Sequence, residues 1–144
     1  MSRLQRVVML MDEHEVTELY MKYIRAFEQK NHAFIADVCR TPFFASSPSG
    51  TTIFHDREEL VNGFASLRDA LDVDGYIGSR INHLKFSSIA KTTGTLHVDF
   101  DRMDAEGTAY FNGQALYLFQ VAEGGLEIIG IAVLDSTTVS NWTD

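Results

Sequence analysis

The spacing of apolar residues along the chain changes near residue 77. Before that point apolar residues recur at intervals of three and four, which is the spacing of one face of a helix. After it they alternate with polar residues, as in strands that bury one face. The pattern therefore predicts an α+β domain, with three helices first and an antiparallel sheet of long strands second.

Each predicted helix follows a residue that can cap its first turn. Asp12 with Glu15 precedes the first helix, Asn31 precedes a short second helix, and Asp56 precedes the third. Pro42 is expected to end the second helix. The apolar face of the first helix comprises Val16, Leu19, Tyr20, Tyr23, Ile24 and Phe27.

Turn residues divide the rest of the chain into strands. A short hairpin is expected around residues 47–50, and longer hairpins around residues 104–107 and 122–125. The strands after residue 77 are placed at 82–87, 96–101, 108–121 and 126–134. Because the helices can cover only one face of such a sheet, we expect a curved sheet that encloses a cone-shaped pocket on its helical side.

Charge and cysteine content restrict the partners of the chain. Twelve basic and 20 acidic residues give a net charge of −8 across 144 residues, so neither nucleic acid nor an anionic membrane is an expected partner. The single cysteine, Cys39, excludes an internal disulfide and favours a cytoplasmic location. We expect one domain over residues 1–144, with an N-terminal arm at 1–11 and a loose tail at 136–144.

Three segments carry a resemblance to a known family. They are residues 23–31 at the end of the first helix, residues 100–107 at a strand-to-hairpin junction, and the glycines before Leu126-Glu127-Ile128. Over residues 12–135 the chain resembles the NTF2-like (cystatin-like) superfamily, which includes SnoaL-like polyketide cyclases and ketosteroid isomerases. Leu126 stands where the family often has Trp. The resemblance implies a cone-shaped pocket and no particular reaction.

The catalytic residues of ketosteroid isomerases carry over only in part. The resemblance places Tyr23 at the position of the family's catalytic tyrosine, which polarises a carbonyl. Ser47, before Pro48, stands where the family has its carboxylate base, and the protonated acid falls near Leu116. Two of three roles are missing, so negligible isomerase activity is expected.

Other polar residues are candidates for the pocket. His97 and Asp99 resemble part of the epoxide-hydrolase-like strand pattern and are candidates for moving a proton, provided that the strand turns them inward rather than toward solvent. Asn82, Asn112 and Gln114 share alternation with apolar residues and, with Tyr20, are candidate ligand-binding groups. Asn82 and Gln114 are expected to face Tyr20 or Tyr23 across the cavity. The alternative is that the amides satisfy each other or a buried water. The histidines are scattered, so neither a metal nor another cofactor is expected.

Two functions remain open on the sequence alone. One is a SnoaL-like isomerase, cyclase or dehydratase that acts on a small apolar carbonyl compound. The other is a non-catalytic, dimeric ligand-binding or interaction domain. An ionisable group with a shifted pKa inside the pocket would distinguish them.

A homodimer that pairs through the sheet is also expected. The strand at residues 108–121 is apolar on both faces, and the helices can cover only one. An uncovered second face would form a larger apolar patch than monomers usually expose. A charge at Phe119 or Ile131 is expected to separate the two copies.

Overall fold

The computed structural model describes residues 11–134, so the predicted arm at 1–11, except its last residue, and the predicted tail at 136–144 lie outside that range. Three helices precede the long strands, as the apolar spacing predicts. The helices are α1 (Glu13–Glu28), α2 (His32–Val38) and α3 (Arg57–Leu71), and a short 3₁₀ turn follows at Asp72–Asp74. The strands are β1 (Cys39–Ser47), β2 (Gly50–Phe54), β3 (Tyr76–Ala90), β4 (Thr93–Asp104), β5 (Ala109–Ala122) and β6 (Gly125–Leu134).

The three predicted caps are confirmed at the start of the helices. Asp12 accepts a hydrogen bond from the backbone of His14, and Asn31 accepts one from Phe34. Asp56 accepts a hydrogen bond from the Glu59 backbone at 2.9 Å. Each bond satisfies a backbone N–H that has no partner within its helix.

The second helix ends earlier than Pro42. It stops at Val38, and Cys39 begins a strand in which Pro42 lies. The prediction that Pro42 ends the helix is therefore wrong. Parallel pairing of β1 with β6 replaces the helical hydrogen bonds from Cys39 onward, so tertiary contacts override the local pattern.

The six strands form one sheet in the order β2-β1-β6-β5-β4-β3. Every neighbouring pair is antiparallel except β1 and β6. Gly107 and Gly125 adopt positive φ angles of 81° and 109° in the two predicted hairpins, a conformation that glycine takes without strain.

The helices cover one face of this sheet, which we call the inner face. Its residues on β4 and β5 include Leu96, Val98, Ala115, Tyr117 and Phe119, all of them buried. The opposite, outer face carries Leu116 and Leu118, which are only half-buried in a single chain. The core therefore lies between the helices and the inner face alone.

Candidate functional site

A cavity of about 260 Å³ lies between the helices and the inner face. Tyr20 and Tyr23 of α1 line it from one side, and Tyr117 of β5 lines it from the other. Most of the remaining wall is apolar or aromatic. Within residues 11–134, no Asp, Glu or His side chain lines this cavity. It is thus a largely apolar space whose polar groups are four phenols, one serine hydroxyl and one guanidinium.

The three tyrosines form one packed group, which we call the tyrosine cluster. Tyr20, Tyr23 and Tyr117 are 1%, 3% and 7% exposed. The Tyr117 ring meets those of Tyr20 and Tyr23 edge-on, with centroid distances of 5.0 and 5.4 Å. Such edge-to-face packing is the favoured arrangement for aromatic pairs, so the rings hold each other in place.

Burial raises the pKa of every member of the tyrosine cluster. Removal from water is the largest cause for Tyr20 and Tyr23, and the charge of Tyr117 and hydrogen bonding to it raise their pKa further. Burial raises the pKa of Tyr117 to about 12, although hydrogen bonds from Tyr23 and Tyr20 oppose the shift. All three phenols are therefore protonated near neutral pH and cannot act as bases there. Tyr20 and Tyr23 donate to Tyr117, so the Tyr117 hydroxyl keeps a proton for a further hydrogen bond.

A second polar region of the cavity contains Arg102, Ser79 and Tyr76. Ser79 of β3 pairs in register with Arg102 of β4, which places both on the inner face. The hydroxyls of Tyr76 and Ser79 are hydrogen-bonded at 2.7 Å. The cavity thus has a cation and two hydroxyls in one region and the tyrosine cluster in another.

A larger open groove of about 610 Å³ adjoins the cavity. It runs between the β1–β2 hairpin and α3, and its lining includes Ser47, Thr52 and Ser66. The groove and the cavity share four apolar residues, namely Leu67, Ala70, Ile131 and Val133. Leu67 and Val133 are 47% and 36% exposed, so the cavity communicates with the surface along this shared wall.

The structure does not bring the other sequence-predicted site residues to the tyrosine cluster. His97 and Asp99 pair in register with Leu116 and Gln114, and all four side chains lie on the outer face. Their catalytic roles stay untested, but the condition of an inward orientation is not met. Leu96 and Val98, which alternate with His97 and Asp99 on β4, are buried against the helices. The side chains of His97 and Asp99 therefore point away from the helices.

The expectation that Asn82 and Gln114 face the tyrosines is wrong. A register shift between Ile81 and His83 turns Asn82 outward, where its amide donates to Asp99 at 3.2 Å. Gln114 is buried on the outer face and lies 2.8 Å from the His97 ring nitrogen. Alternation along a strand shows which side chains share a face, but not which face the helices cover. Because β5 is apolar on both faces, its sequence allows either face to be the covered one.

Asn112 also lies on the outer face and joins a polar network there. Its amide donates to Asp99 at 2.8 Å and to Asp101 at 2.9 Å. The hydrogen bond from Asn112 lowers the pKa of the Asp101 carboxyl, and the Arg80 guanidinium at 2.6 Å acts in the same direction. Asn82 and Asn112, two of the amides predicted to bind a ligand, instead donate to carboxylates of the same chain.

Sequence reasoning missed Arg102 and Tyr117 as cavity residues. Arg102 follows Val98 and Phe100 at intervals of two, so the alternation places it on the buried face of its strand. A charged residue at such a position was the available signal. Tyr117 shares alternation with Phe119 in the same way, but only the packing of α1 identifies which face of β5 is covered.

The described residues contain no cluster of side chains suited to binding a metal ion. Within residues 11–134, no three His, Cys, Asp or Glu side chains come together in a group that could hold a metal ion. Burial, and to a smaller extent the charge of Glu127, raises the pKa of the Cys39 thiol to about 12. Cys39 is therefore protonated near neutral pH and acts as a small core residue.

In the same part of the chain, residues 11–134, no helix is long and apolar enough to cross a membrane.

Solved structures with this fold come from several bacteria. An NTF2-like protein with a cystatin-like fold from Novosphingobium aromaticivorans is 13% identical with a TM-score of 0.69, over 90% of this chain and 84% of that one. Aln2 from a Streptomyces species is 14% identical with a TM-score of 0.64, over 87% and 93% of the two chains. A protein from Catenulispora acidiphila in complex with S-DNPA is 13% identical with a TM-score of 0.64, over 84% and 90%.

These likenesses, at such low identity, concern the fold alone. A comparison with curated proteins finds no match. The sequence profile of the family described as NTF2-like protein (DUF6841) matches residues 12–136. That range contains all three helices and all six strands. The α+β cone and the resemblance predicted from the sequence are confirmed, and the chain belongs to the NTF2-like protein family (DUF6841).

Proposed function

We propose that this protein binds a small, largely apolar molecule in the cavity and hydrogen-bonds an oxygen atom of that molecule with the tyrosine cluster. The observation that carries the proposal is a set of three buried, protonated phenols within a largely apolar cavity of about 260 Å³. A carbonyl is the simplest group to accept such bonds. In a site shielded from water, a hydrogen bond of this kind contributes about 1 kcal/mol.

Binding without proton transfer fits the cavity better than catalysis does. A SnoaL-like isomerase, cyclase or dehydratase needs a group that accepts a proton near neutral pH. Within residues 11–134 the cavity lining offers no carboxylate or imidazole, and the pKa values of the tyrosines are raised. Ser47, which stands where the related isomerases have their base, lines the neighbouring groove.

One protein of this fold is described with a bound compound. The Catenulispora acidiphila protein is described as a complex with S-DNPA, so a protein of this fold holds a small molecule. That observation supports a ligand-binding role for the present cavity.

The first test uses 2-acetylnaphthalene, a flat ketone, with binding measured by calorimetry or ligand-observed NMR. We expect saturable binding, and about fivefold weaker binding to Tyr117→Phe, because the hydroxyl proton that the tyrosine cluster leaves for the ligand is lost. Tyr110→Phe is the matched control, since Tyr110 does not line the cavity. The hydrocarbon 2-ethylnaphthalene should bind both variants equally well.

A second variant tests the location of binding. Ala115 is buried in the cavity wall, so Ala115→Leu should fill the cavity and abolish binding of both probes. Ketone binding that survives Ala115→Leu would contradict the proposal. Turnover of a β,γ-enone that disappears in Tyr23→Phe would instead show that the protein is an isomerase with another base.

We also propose that two copies pair through the outer face. Phe44, Leu116, Leu118, Ala132 and Leu134 are half-buried and lie toward the middle of the sheet. The helices leave this face uncovered, and burying it against a second copy is favourable by about 25 cal/mol per Å² of apolar area. The cytoplasmic location inferred from the single cysteine stays a prediction.

A further inference from the structure

Arg102 occupies an unusual position for a charged side chain. It lies on the inner face of β4 and lines the apolar cavity. Its guanidinium group lies over two aromatic rings, 4.4 Å from the centroid of Phe111 and 5.8 Å from that of Phe100. An arginine stacked on a ring keeps the N–H groups at its edge available to a further partner.

Those N–H groups have no anionic partner among residues 11–134. Four other arginines there form ion pairs within the chain, namely Arg40 with Glu127, Arg57 with Asp37, Arg68 with Asp72, and Arg80 with Asp101. Arg102 makes no ion pair with the described residues, although acidic residues outnumber basic ones by 20 to 12. An unpaired guanidinium beside an apolar cavity is a site for an external anion.

The groups around Arg102 extend such a site. Ser79 lies opposite Arg102 in the sheet, and its hydroxyl is bonded to that of Tyr76. One of these hydroxyls donates to the other, which leaves one O–H beside the guanidinium to bind an oxygen of a planar anion. A carboxylate matches the flat, two-pronged edge of the guanidinium better than a spherical anion does.

We propose that the ligand of this cavity is a small aromatic carboxylate, bound through its carboxylate by Arg102 and with its ring system directed toward the tyrosine cluster. The inference rests on the proposed function, because it names the class of molecule that the cavity takes. An acceptor oxygen on the ring system would take the phenol hydrogen bonds at the tyrosine cluster. Arg102 is the charged side chain that lines the cavity within residues 11–134, and the nearby Glu28 carboxylate accepts a hydrogen bond from the Ser79 backbone N–H at 2.8 Å.

The test compares 2-naphthoate with its methyl ester, two probes of similar shape that differ in charge. We expect the carboxylate to bind the wild-type protein about tenfold more tightly than the ester, as a partly solvated charge-assisted pair should. Arg102→Gln should remove that preference. Arg102→Lys should keep part of it, because lysine supplies the charge without the two-pronged edge.

Arg57→Gln is the matched control, since it removes the same charge from an exposed residue paired with Asp37 away from the cavity. It should leave the preference for the carboxylate unchanged. Circular dichroism of each variant establishes that the fold is retained before affinities are compared.

The outcomes of this test separate the inference from the proposed function. Equal affinity for acid and ester in the wild-type protein would overturn the carboxylate proposal and leave the apolar ligand site intact. A preference that survives Arg102→Gln, or disappears equally in Arg57→Gln, would also overturn it. If neither the acid nor the ester binds, and 2-acetylnaphthalene does not bind, the proposed function itself fails.

Discussion

The two faces of β5 differ more than their sequences suggest. On the inner face Ala115, Tyr117 and Phe119 are buried beneath the helices. On the outer face Leu116 and Leu118 are half-buried. All five residues are apolar or aromatic, so composition does not distinguish the faces. The difference arises from the elements that pack against each face.

The polar groups of the two faces differ in the same way. On the inner face, burial keeps phenols protonated and removes them from water. On the outer face, amides and carboxylates satisfy each other, as the Asn112 amide does with Asp99 and Asp101. On the inner face Tyr20 and Tyr23 hydrogen-bond to Tyr117, which leaves the Tyr117 hydroxyl proton of the tyrosine cluster for a ligand, while the Asn112 amide of the outer face already has partners in the chain. A site in this fold is recognised by the helices that cover it rather than by its polar residues.

The largest expected difference between the faces concerns stability. Phe119→Ala should reduce the free energy of unfolding by about 3–5 kcal/mol, because it opens a void in a fully buried position. Leu118→Ala on the outer face should cost less than about 2 kcal/mol, since the side chain is already partly solvated. Urea denaturation at one low protein concentration measures both. Equal losses would mean that the outer face is as well packed as the core.

The next prediction concerns association. Leu118→Glu should weaken the proposed dimer by at least about 100-fold, because pairing would bury an unpartnered carboxylate. Light scattering at micromolar concentration should then give a monomer mass. Val73→Glu, a control at a residue that is 89% exposed, should remain dimeric. A wild-type protein that is already monomeric would rule out the dimer.

The expectation that a charge at Phe119 or Ile131 separates the copies is wrong. These residues are 0% and 7% exposed in the core of a single chain, so a charge there would prevent folding rather than separate copies. Leu118 is the outer-face neighbour of Phe119 on the same strand. A charge at Leu118 compared with a charge at Phe119 therefore tests the assignment of the two faces as well as the dimer.

The smallest expected effect is at alkaline pH. The pKa of Tyr117 is about 12 in the folded protein and about 10 when unfolded. The folded state holds this proton between those values while the unfolded state releases it, so stability is complete below pH 10 and declines above it. Tyr117→Phe should reduce the decline by up to about 1.4 kcal/mol per pH unit.

Absorbance at alkaline pH checks the same point directly. The chain has five tyrosines, and in denaturant all five should ionise together near about pH 10. In the folded protein the members of the tyrosine cluster should ionise only as the chain unfolds. Ionisation of all five near pH 10 without unfolding would mean that the cavity is open to water.

Local sequence determined much of this fold. The spacing of apolar residues predicts three helices followed by long strands, and Asp12, Asn31 and Asp56 mark the helix starts correctly. Gly107 and Gly125 mark two hairpins. These features depend on a few neighbouring residues, so a single sequence contains them. Tyr20 and Tyr23 were also placed correctly, because a helix with one apolar stripe has only one way to face a sheet.

Tertiary structure alone decided which side of each strand is inside. The register shift between Ile81 and His83 reverses the expected orientation of Asn82, and no neighbouring residue in the sequence predicts this shift. Alternation along β5 permits either face to be covered, and a change of one residue exchanges Tyr117 for Leu116. The packing of α1 against Tyr117 determines which face of the sheet is covered. It thereby places Arg102, rather than His97, in the cavity lining. Side chains that meet across the core are distant in sequence, so their contact is a property of the folded chain.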